Sequence, residues 1–408
     1  MEIMNQPFNG QLGSRLIGWL DSGEYFQLDI VVAFAKIGGV LRLKGALERF
    51  RGRGSRVRVF VGVDLGGTSY EALTALRLIV DELHIVHSER WQTFHSKIYN
   101  LRGRDHGLLV VGSNNLTPGG LWTNFESSIV VPSSSSLDVL QESVSEHIAV
   151  LSNLGASTRL ISSQSDVDEL LENNYVAMEV ASEVRRRGSS PLEEKLERLF
   201  GNGVPAVAPP LPLGERAPRA VPSLSTEASS VSLDLSDLPE ADKLETIWVE
   251  TRAMTGGSVN QLDLSMKSLL ESGDPIGTIF DIQSSRYMLG AVGFFGINPA
   301  DRSAERTVTL NLDGVDYVNN RILYREANGT WRIQFEGKSE EGNALTTAFK
   351  LKGGSGFLKH KLVSFSRIDN DYYFLSIFPE DQLENFRNAS LLLGWNGQNN
   401  MARSLGVF

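Results

Sequence analysis

The sequence predicts two domains of different class: an α/β domain with a mixed sheet, followed by a mostly-β barrel or sandwich. Three observations carry this. Residues 1–202 alternate strand-like and helix-like patterns. Residues 203–242 hold seven of the chain's 14 prolines, with many Ala and Ser, and read as an extended linker. Residues 243–408 are rich in short β-branched and aromatic runs separated by Gly, Asn and Asp.

Each element follows from its periodicity. "LDIVVAFA" (28–35) is a short apolar run suited to a buried strand. "VLRLKGALERF" places Leu43, Leu47 and Phe50 on one helical face. "VRVFVGVD" alternates Val57, Val59, Val61 and Val63, a period of two. "YEALTALRLIVDE" returns to helical spacing with Leu73, Leu76 and Val80, and "LHIV" is a short strand. "HSKIYNL", "GLLVVGS" and "ESSIVVP" read as three more strands, and "ISSQSDVDELLENN" and "EEKLERLF" as helices. Beyond the linker, "TVTLNL", "RILYRE", "WRIQFE", "LVSFSRI" and "YYFLSIF" are strands, with hairpin signals at "LDGVD" and "ANGTW" and one helix at "PEDQLENFR".

Composition narrows the chemistry. A net charge of -10 excludes a uniformly basic coat, so any contact with nucleic acid must be local. The absence of cysteine excludes disulfides, thiolate metal sites and a thiol nucleophile, and suits a reducing cytoplasm. No apolar stretch reaches membrane-spanning length, and the first twenty residues lack a secretory apolar core. The expectation is a cytoplasmic protein without membrane association.

The segment from Thr93 to Val131 concentrates the candidate chemistry. A neutral imidazole can attack phosphorus, and a protonated one can donate to the leaving oxygen. His95 is the candidate for this. On a strand, Lys97 projects on the same side as His95 and can bind non-bridging phosphate oxygens. Ser113 and Asn115, also two apart, end the next apolar strand and offer a hydroxyl and an amide to the same oxygens. Gly112 permits close backbone approach. Glu126 opens another strand and can accept the ring N–H of His95, fixing its tautomer.

"HSK", "GSNN" and "GGLWTNFE" together resemble the phospholipase D superfamily, over roughly the first 190 residues. The resemblance implies an α/β/α sandwich on a mixed sheet. It implies His95 as nucleophile or acid, Lys97, Ser113 and Asn115 as a phosphate clamp, and Glu126 as the partner of His95. It implies no metal and no cofactor. The family's longer motif has an Asp five residues after the Lys, where this chain has Arg102, which points away from lipid hydrolysis and toward nucleases. Only one His-x-Lys is present, since His84, His87, His106, His147 and His360 have no Lys two residues on. Two imidazoles then require a homodimer sharing one site through its N-terminal domains.

Double-stranded DNA is the expected substrate. Lys36 to Arg58 carries eight basic residues against one acid, Glu48: a local basic patch or, alternatively, a solvated helix face with a basic turn. "WVETRAMTGGSVNQLDLSMKSL" and the strands after it resemble the C-terminal domain of phospholipase D-type restriction endonucleases, the BfiI and NgoFVII group, which implies a B3-like DNA-binding pseudobarrel. Two loops would then read base edges: Arg252, Asn260 and Gln261 in the first, Asn319, Arg321, Asn328 and Arg332 in the second. Each could equally be an ordinary turn or strand-surface residue. Lys350, Lys352, Lys359 and Lys361 could touch phosphates. The reading is a restriction endonuclease subunit. The alternatives are the nuclease subunit of an ATP-dependent complex with a separate helicase-like protein, since the chain has no phosphate-binding loop of its own, and a catalytically inactive nucleic-acid-binding protein.

Overall fold

The computed structural model describes residues 1–133, 139–188, 203–211, 245–254, 260–327, 329–396 and 402–408. The chain divides into two units, Met1–Ser182 with Val204–Pro209, and Glu183–Gly203 with Pro210–Phe408.

The first unit carries β1 (Glu2–Gln6), α1 (Leu12–Asp21), β2 (Tyr25–Val32), α2 (Ile37–Gly52), β3 (Arg56–Gly62), α3 (Tyr70–Ile79), β4 (Glu82–Val86), β5 (Lys97–Gly103), β6 (Gly107–Gly112), β7 (Glu126–Ser133), α4 (Val139–Ser152), β8 (Thr158–Leu160) and α5 (Gln164–Glu172). α6 (Glu179–Gly188) runs across the boundary between the units. The sheet order is β1-β7-β6-β5-β2-β3-β4-β8. β2, β3 and β4 are mutually parallel and the remaining pairings are antiparallel, so the mixed α/β sheet expected from the sequence is present. Helices cover both faces. Val144, Ile148 and Leu151 of α4 pack on Val31, Phe60 and Leu109. The opposite face lies under α1, α2, α3 and α5, which pack on one another.

This topology gathers the functional segment. Val32 at the end of β2 lies opposite Lys97 at the start of β5. Gly112 at the end of β6 lies opposite Ser128 near the start of β7. The segments after β2, β3 and β6 and before β5 and β7 therefore emerge at one end of the sheet.

The basic stretch from Lys36 to Arg58 is not an open positive surface. Arg49 pairs with Asp21, Arg51 with Asp81, Arg56 with Glu82, and Arg58 with the buried Asp29. Those acids lie 26 to 30 residues away in sequence, and the fold brings them in. Arg42 donates to the Pro209 carbonyl and lies over the Trp122 ring. Four of the eight basic residues are thus paired with these acids, which favours the solvated helix face with a basic turn over an open basic patch.

The second unit is mostly β, with β9 (Thr246–Glu250), β10 (Gln261–Leu264), β11 (Lys267–Ser272), β12 (Tyr287–Leu289), β13 (Glu305–Leu312), β14 (Val315–Arg325), β15 (Thr330–Gln334), β16 (Lys361–Asp369), β17 (Tyr372–Pro379), β18 (Leu392–Asn396) and β19 (Arg403–Val407). They form one curled sheet, β10-β15-β14-β13-β17-β16-β9-β19-β18-β11-β12, around a core that includes Trp331, Phe295, Phe365 and Tyr373. Among the described residues three α-helices accompany them: α7 (Ala291–Phe294), α8 (Leu345–Gly353) and α9 (Leu383–Ala389). Only α9 is expected from the sequence. The helix expected at "EEKLERLF" lies outside the described residues, as do most of the linker and Thr255–Val259.

Candidate active site

His95 is exposed and sits two residues ahead of β5, not on it. Lys97, the first residue of β5, is buried. The sequence places both on one strand, whereas the strand begins only at Lys97. The two side chains meet all the same: the Lys97 ammonium lies 2.7 Å from His95 Nδ1 and also donates to the His95 carbonyl at 2.8 Å. An ammonium has only donors, so Nδ1 must accept, and a neutral ring then carries its proton on Nε2. In this form His95 presents an N–H donor at Nε2 rather than a lone pair. The edge of the ring meets Phe34, with centroids 5.8 Å apart.

The loop after β6 supplies the next two groups. Phe34 N–H donates to Asn115 Oδ1 at 3.1 Å, which fixes the amide and leaves its NH2 as a donor without a partner among the described residues. The loop is stitched to the segment after β2: Leu116 N–H donates to the Phe34 carbonyl, and Lys36 N–H to the Leu116 carbonyl. Ser113 donates its hydroxyl to a Glu126 carboxylate oxygen and accepts from Ser127 N–H at 3.1 Å. Asn124 donates to the other Glu126 oxygen at 3.4 Å.

Glu126 therefore departs from its expected role. Among the described residues it makes no hydrogen bond to His95 within the chain; Ser113 and Asn124 hold its carboxylate. The reason is register: Ser113 bonds Ser127 on the neighbouring strand, which sets its hydroxyl beside Glu126. Arg102 does not reach the site. It is half-buried, donating to the Gln141 carbonyl and Ser145 of α4.

Burial pushes the Lys97 ammonium below the usual lysine value, and the Glu126 charge partly offsets this. If Lys97 clamps a phosphate, losing its proton releases the clamp. Activity is then full while Lys97 is protonated and falls as pH rises through a value below about 10.4. Lys97→Arg keeps its charge past pH 12 and moves that alkaline limb upward. A kcat/KM–pH profile of both proteins checks this.

Several supporting residues carry no signal in the sequence. Asn114, between the two candidate donors, is buried; it donates to the Gly120 carbonyl at 2.7 Å, and its own carbonyl accepts from the Tyr99 hydroxyl at 3.2 Å. The buried Gln6 amide donates to the carbonyls of Gly119, Gly120 and Asn124, holding the turn that delivers Glu126. Gly112 serves strand contact: a Cβ there would lie 2.2 Å from Ser128 Oγ and 2.3 Å from the Ser127 carbonyl. At Gly120 a Cβ would come within 2.4 Å of the Asn115 carbonyl oxygen, so "PGG" lets the turn press against Asn115.

The candidate base-reading residues fare differently. Arg321 and Asn319 lie within β14 and Arg332 within β15, on the two arms of a hairpin rather than in a loop, and Asn328 lies outside the described residues. Arg321 pairs with Glu336 and Glu305. Arg332 pairs with Asp263 at 2.6 Å and donates to Gln261 at 3.2 Å. Arg252 bonds the buried Glu250 at 3.0 Å. Asn319, at φ +66°, and Asn260 are exposed. Lys352 pairs with Asp313 at 2.6 Å, while Lys350 and Lys359 are exposed and Lys361 opens β16.

Among the described residues, no three His, Asp or Glu side chains cluster to hold a metal, and no helix is long and apolar enough to cross a membrane. No protein-family model and no curated protein matches the chain. Solved structures do, distantly and over its N-terminal part. Nuc from Salmonella typhimurium, a phospholipase D family member, matches at 20% identity over 40% of this chain and 97% of its own, with a TM-score of 0.31. NucT from Helicobacter pylori matches at 12% over 36% and 94%, with a TM-score of 0.26. Phosphatidylserine synthase from Haemophilus influenzae matches at 14% over 39% of this chain and 41% of its own, with a TM-score of 0.29. The likeness is one of fold.

Proposed function

We propose that the chain is a phosphodiesterase acting on DNA, the nuclease subunit of a restriction-type system, with one active site completed by two copies. The observation that carries this is the convergence at one sheet end of His95, Lys97 and the Asn115 amide, with Ser113 locked to Glu126 beside them. A cation and an amide donor around an imidazole suit the charge that develops on a phosphoryl group in transfer.

The reaction needs two imidazoles in different states. One His95 attacks phosphorus through Nε2, forming a phosphorus–nitrogen bond as the phosphorus–oxygen bond breaks. The other protonates the departing oxygen, then takes a proton from the water that attacks the phosphohistidine. The attacking ring must carry its proton on Nδ1 and meet an acceptor there. Within one chain Lys97 donates to Nδ1 and Glu126 is held by Ser113 and Asn124, so attack requires Lys97 to leave Nδ1 for the phosphate, and the reading leaves the acceptor for the Nδ1 proton to the second copy.

An exposed apolar face supports pairing of two copies. Ile3, Ile129 and Val111 stand side by side on β1, β7 and β6, with 61%, 44% and 43% of their surface exposed. Next to them the exposed rings of Phe8 and Phe125 stack at 5.6 Å. Val111 is two residues from Ser113, and Phe125 adjoins Glu126. A copy seated on this face stands beside the site.

The second unit is assigned to DNA binding. Arg252, Arg321 and Arg332 would contact bases in competition with their present carboxylate partners. Plasmid cleavage by the purified chain in excess EDTA, without ATP, is the expected result. Loss of cutting there sinks the metal-free mechanism, and binding without cutting turns the reading toward a non-catalytic nucleic-acid protein.

A further inference from the structure

Trp91 is 88% exposed, the most exposed of the large aromatic side chains described. It stands in the segment between β4 and His95, where Arg90, Gln92 and Thr93 are also exposed. That segment has no regular structure, yet it is held at both ends. At its start, His87 N–H donates to the Ser157 carbonyl, and His87 Nδ1 lies 2.8 Å from Asp64 Oδ1. The Tyr175 ring meets His87 edge-on at 5.3 Å, and its hydroxyl donates to Glu89. At its end, Phe94 N–H donates to the other Asp64 oxygen at 2.9 Å, and the Phe94 ring packs against the core under α4. One carboxylate thus clamps both ends of a short loop, with Trp91 at its tip. Leu65, next to Asp64, is 82% exposed on the same rim.

An indole in water loses its apolar contacts unless something covers it. Four residues span at most about 14 Å, which puts Trp91 within a few nucleotides of any phosphate bound at His95. A flat aromatic face beside an arginine, a short reach from a phosphate clamp, is the arrangement on which unpaired bases stack. We propose that Trp91 is a stacking platform for a nucleobase next to the scissile phosphate, so that the strand enters the site unpaired or locally opened. This rests on the phosphodiesterase reading above and narrows its substrate to an unstacked DNA strand. Arg90, which has no ion-pair partner among the described residues, lies beside the same backbone.

The test compares two polymers on the full-length chain: a fluorescein-labelled single-stranded oligodeoxynucleotide, and an abasic deoxyribose-phosphate oligomer of equal length. Trp91→Ala should weaken binding of the first by about 5- to 100-fold and leave the second unchanged. Trp91→Phe should restore most of the loss. Equal loss on both polymers, or no loss on either, overturns the stacking role while leaving the phosphodiesterase reading intact. Failure of the wild-type chain to bind either polymer removes the nucleic-acid reading and this inference with it. Trp91 is 88% exposed, so the Ala variant should unfold at the wild-type temperature.

Discussion

Replacing His95 by alanine should lower phosphodiester cleavage by at least about 10⁴-fold while leaving DNA affinity within a few-fold of wild type. The reasoning is chemical. In the proposed reaction both bond-making steps pass through this one residue type, once as nucleophile and once as acid, and no other described histidine lies beside the clamp. His84 stacks on its cross-strand partner Phe60, His106 packs against Tyr25, His147 lies on α4, and His360 belongs to the second unit, bonded to Glu380. His87 is the nearest alternative, but its Nδ1 is tied to Asp64. Binding should survive because Lys97 and the Asn115 amide remain. His95 is exposed, so the alanine leaves no cavity and the fold should hold. Single-turnover cleavage of a labelled duplex, set beside its binding isotherm, separates the two quantities. A residual rate within tenfold of wild type would show that the imidazole is not the nucleophile. Equal loss of binding and rate would show that His95 holds the substrate rather than transforming it. Asn115→Ala should behave in the opposite sense, weakening binding and rate together. It removes a donor and also frees the Phe34 N–H, at a cost of about 1–3 kcal/mol.

Much of this site is legible before any coordinates. His95, Lys97, Ser113, Asn115 and Glu126 can be nominated because the proposed chemistry calls for their types at short spacings beside apolar runs, although His95 precedes its strand and Glu126 bonds Ser113 and Asn124 within the chain. Their supports cannot be read. Gln6 is a lone amide in an N-terminal strand, and its three carbonyl partners lie more than 110 residues away. Asn114 looks interchangeable with Asn115 in sequence, yet one is buried scaffold and the other faces the site. Local charge counting misleads for a related reason. The window from Lys36 to Arg58 is basic only while Asp21, Asp29, Asp81 and Glu82 are out of view. The same lesson holds for Arg321 and Arg332: a window shows the arginine and not the glutamate or aspartate that the strand register sets beside it. Helix α4 is not expected either, because the serines and Asp138 ahead of it are as common in turns as at helix starts. The mixed sheet survives such omissions, since the alternation of strand and helix periods suffices to define it.

In the proposed dimer, Ile129→Asp should separate the two copies and abolish the proposed cleavage without unfolding the chain. In the single chain Ile129 is 44% exposed, standing between Ile3 and Val111 on an open sheet face, so a carboxylate there remains in water and the fold loses little. In a dimer seated on that face, two-fold symmetry brings the substituted position in from both sides, and each aspartate must shed water against apolar neighbours or its own copy. That is enough to weaken association by about 10²-fold or more. The catalytic consequence follows from proton accounting. One His95 cannot both form the phosphorus–nitrogen bond and protonate the oxygen leaving from the opposite side of the same phosphorus. Sedimentation should therefore find Ile129→Asp monomeric at concentrations where wild type is dimeric. Specific activity should fall in step with the dimer fraction and return as protein is concentrated. Wild type diluted below its own dissociation constant should lose specific activity the same way. Mixing His95→Ala with wild type gives the sharper result. Each mixed dimer holds one imidazole and cannot complete the cycle, so activity should fall as the square of the wild-type fraction. A linear fall, or a fully active monomer of Ile129→Asp, would mean that each copy works alone and that its acid is a residue other than a second His95.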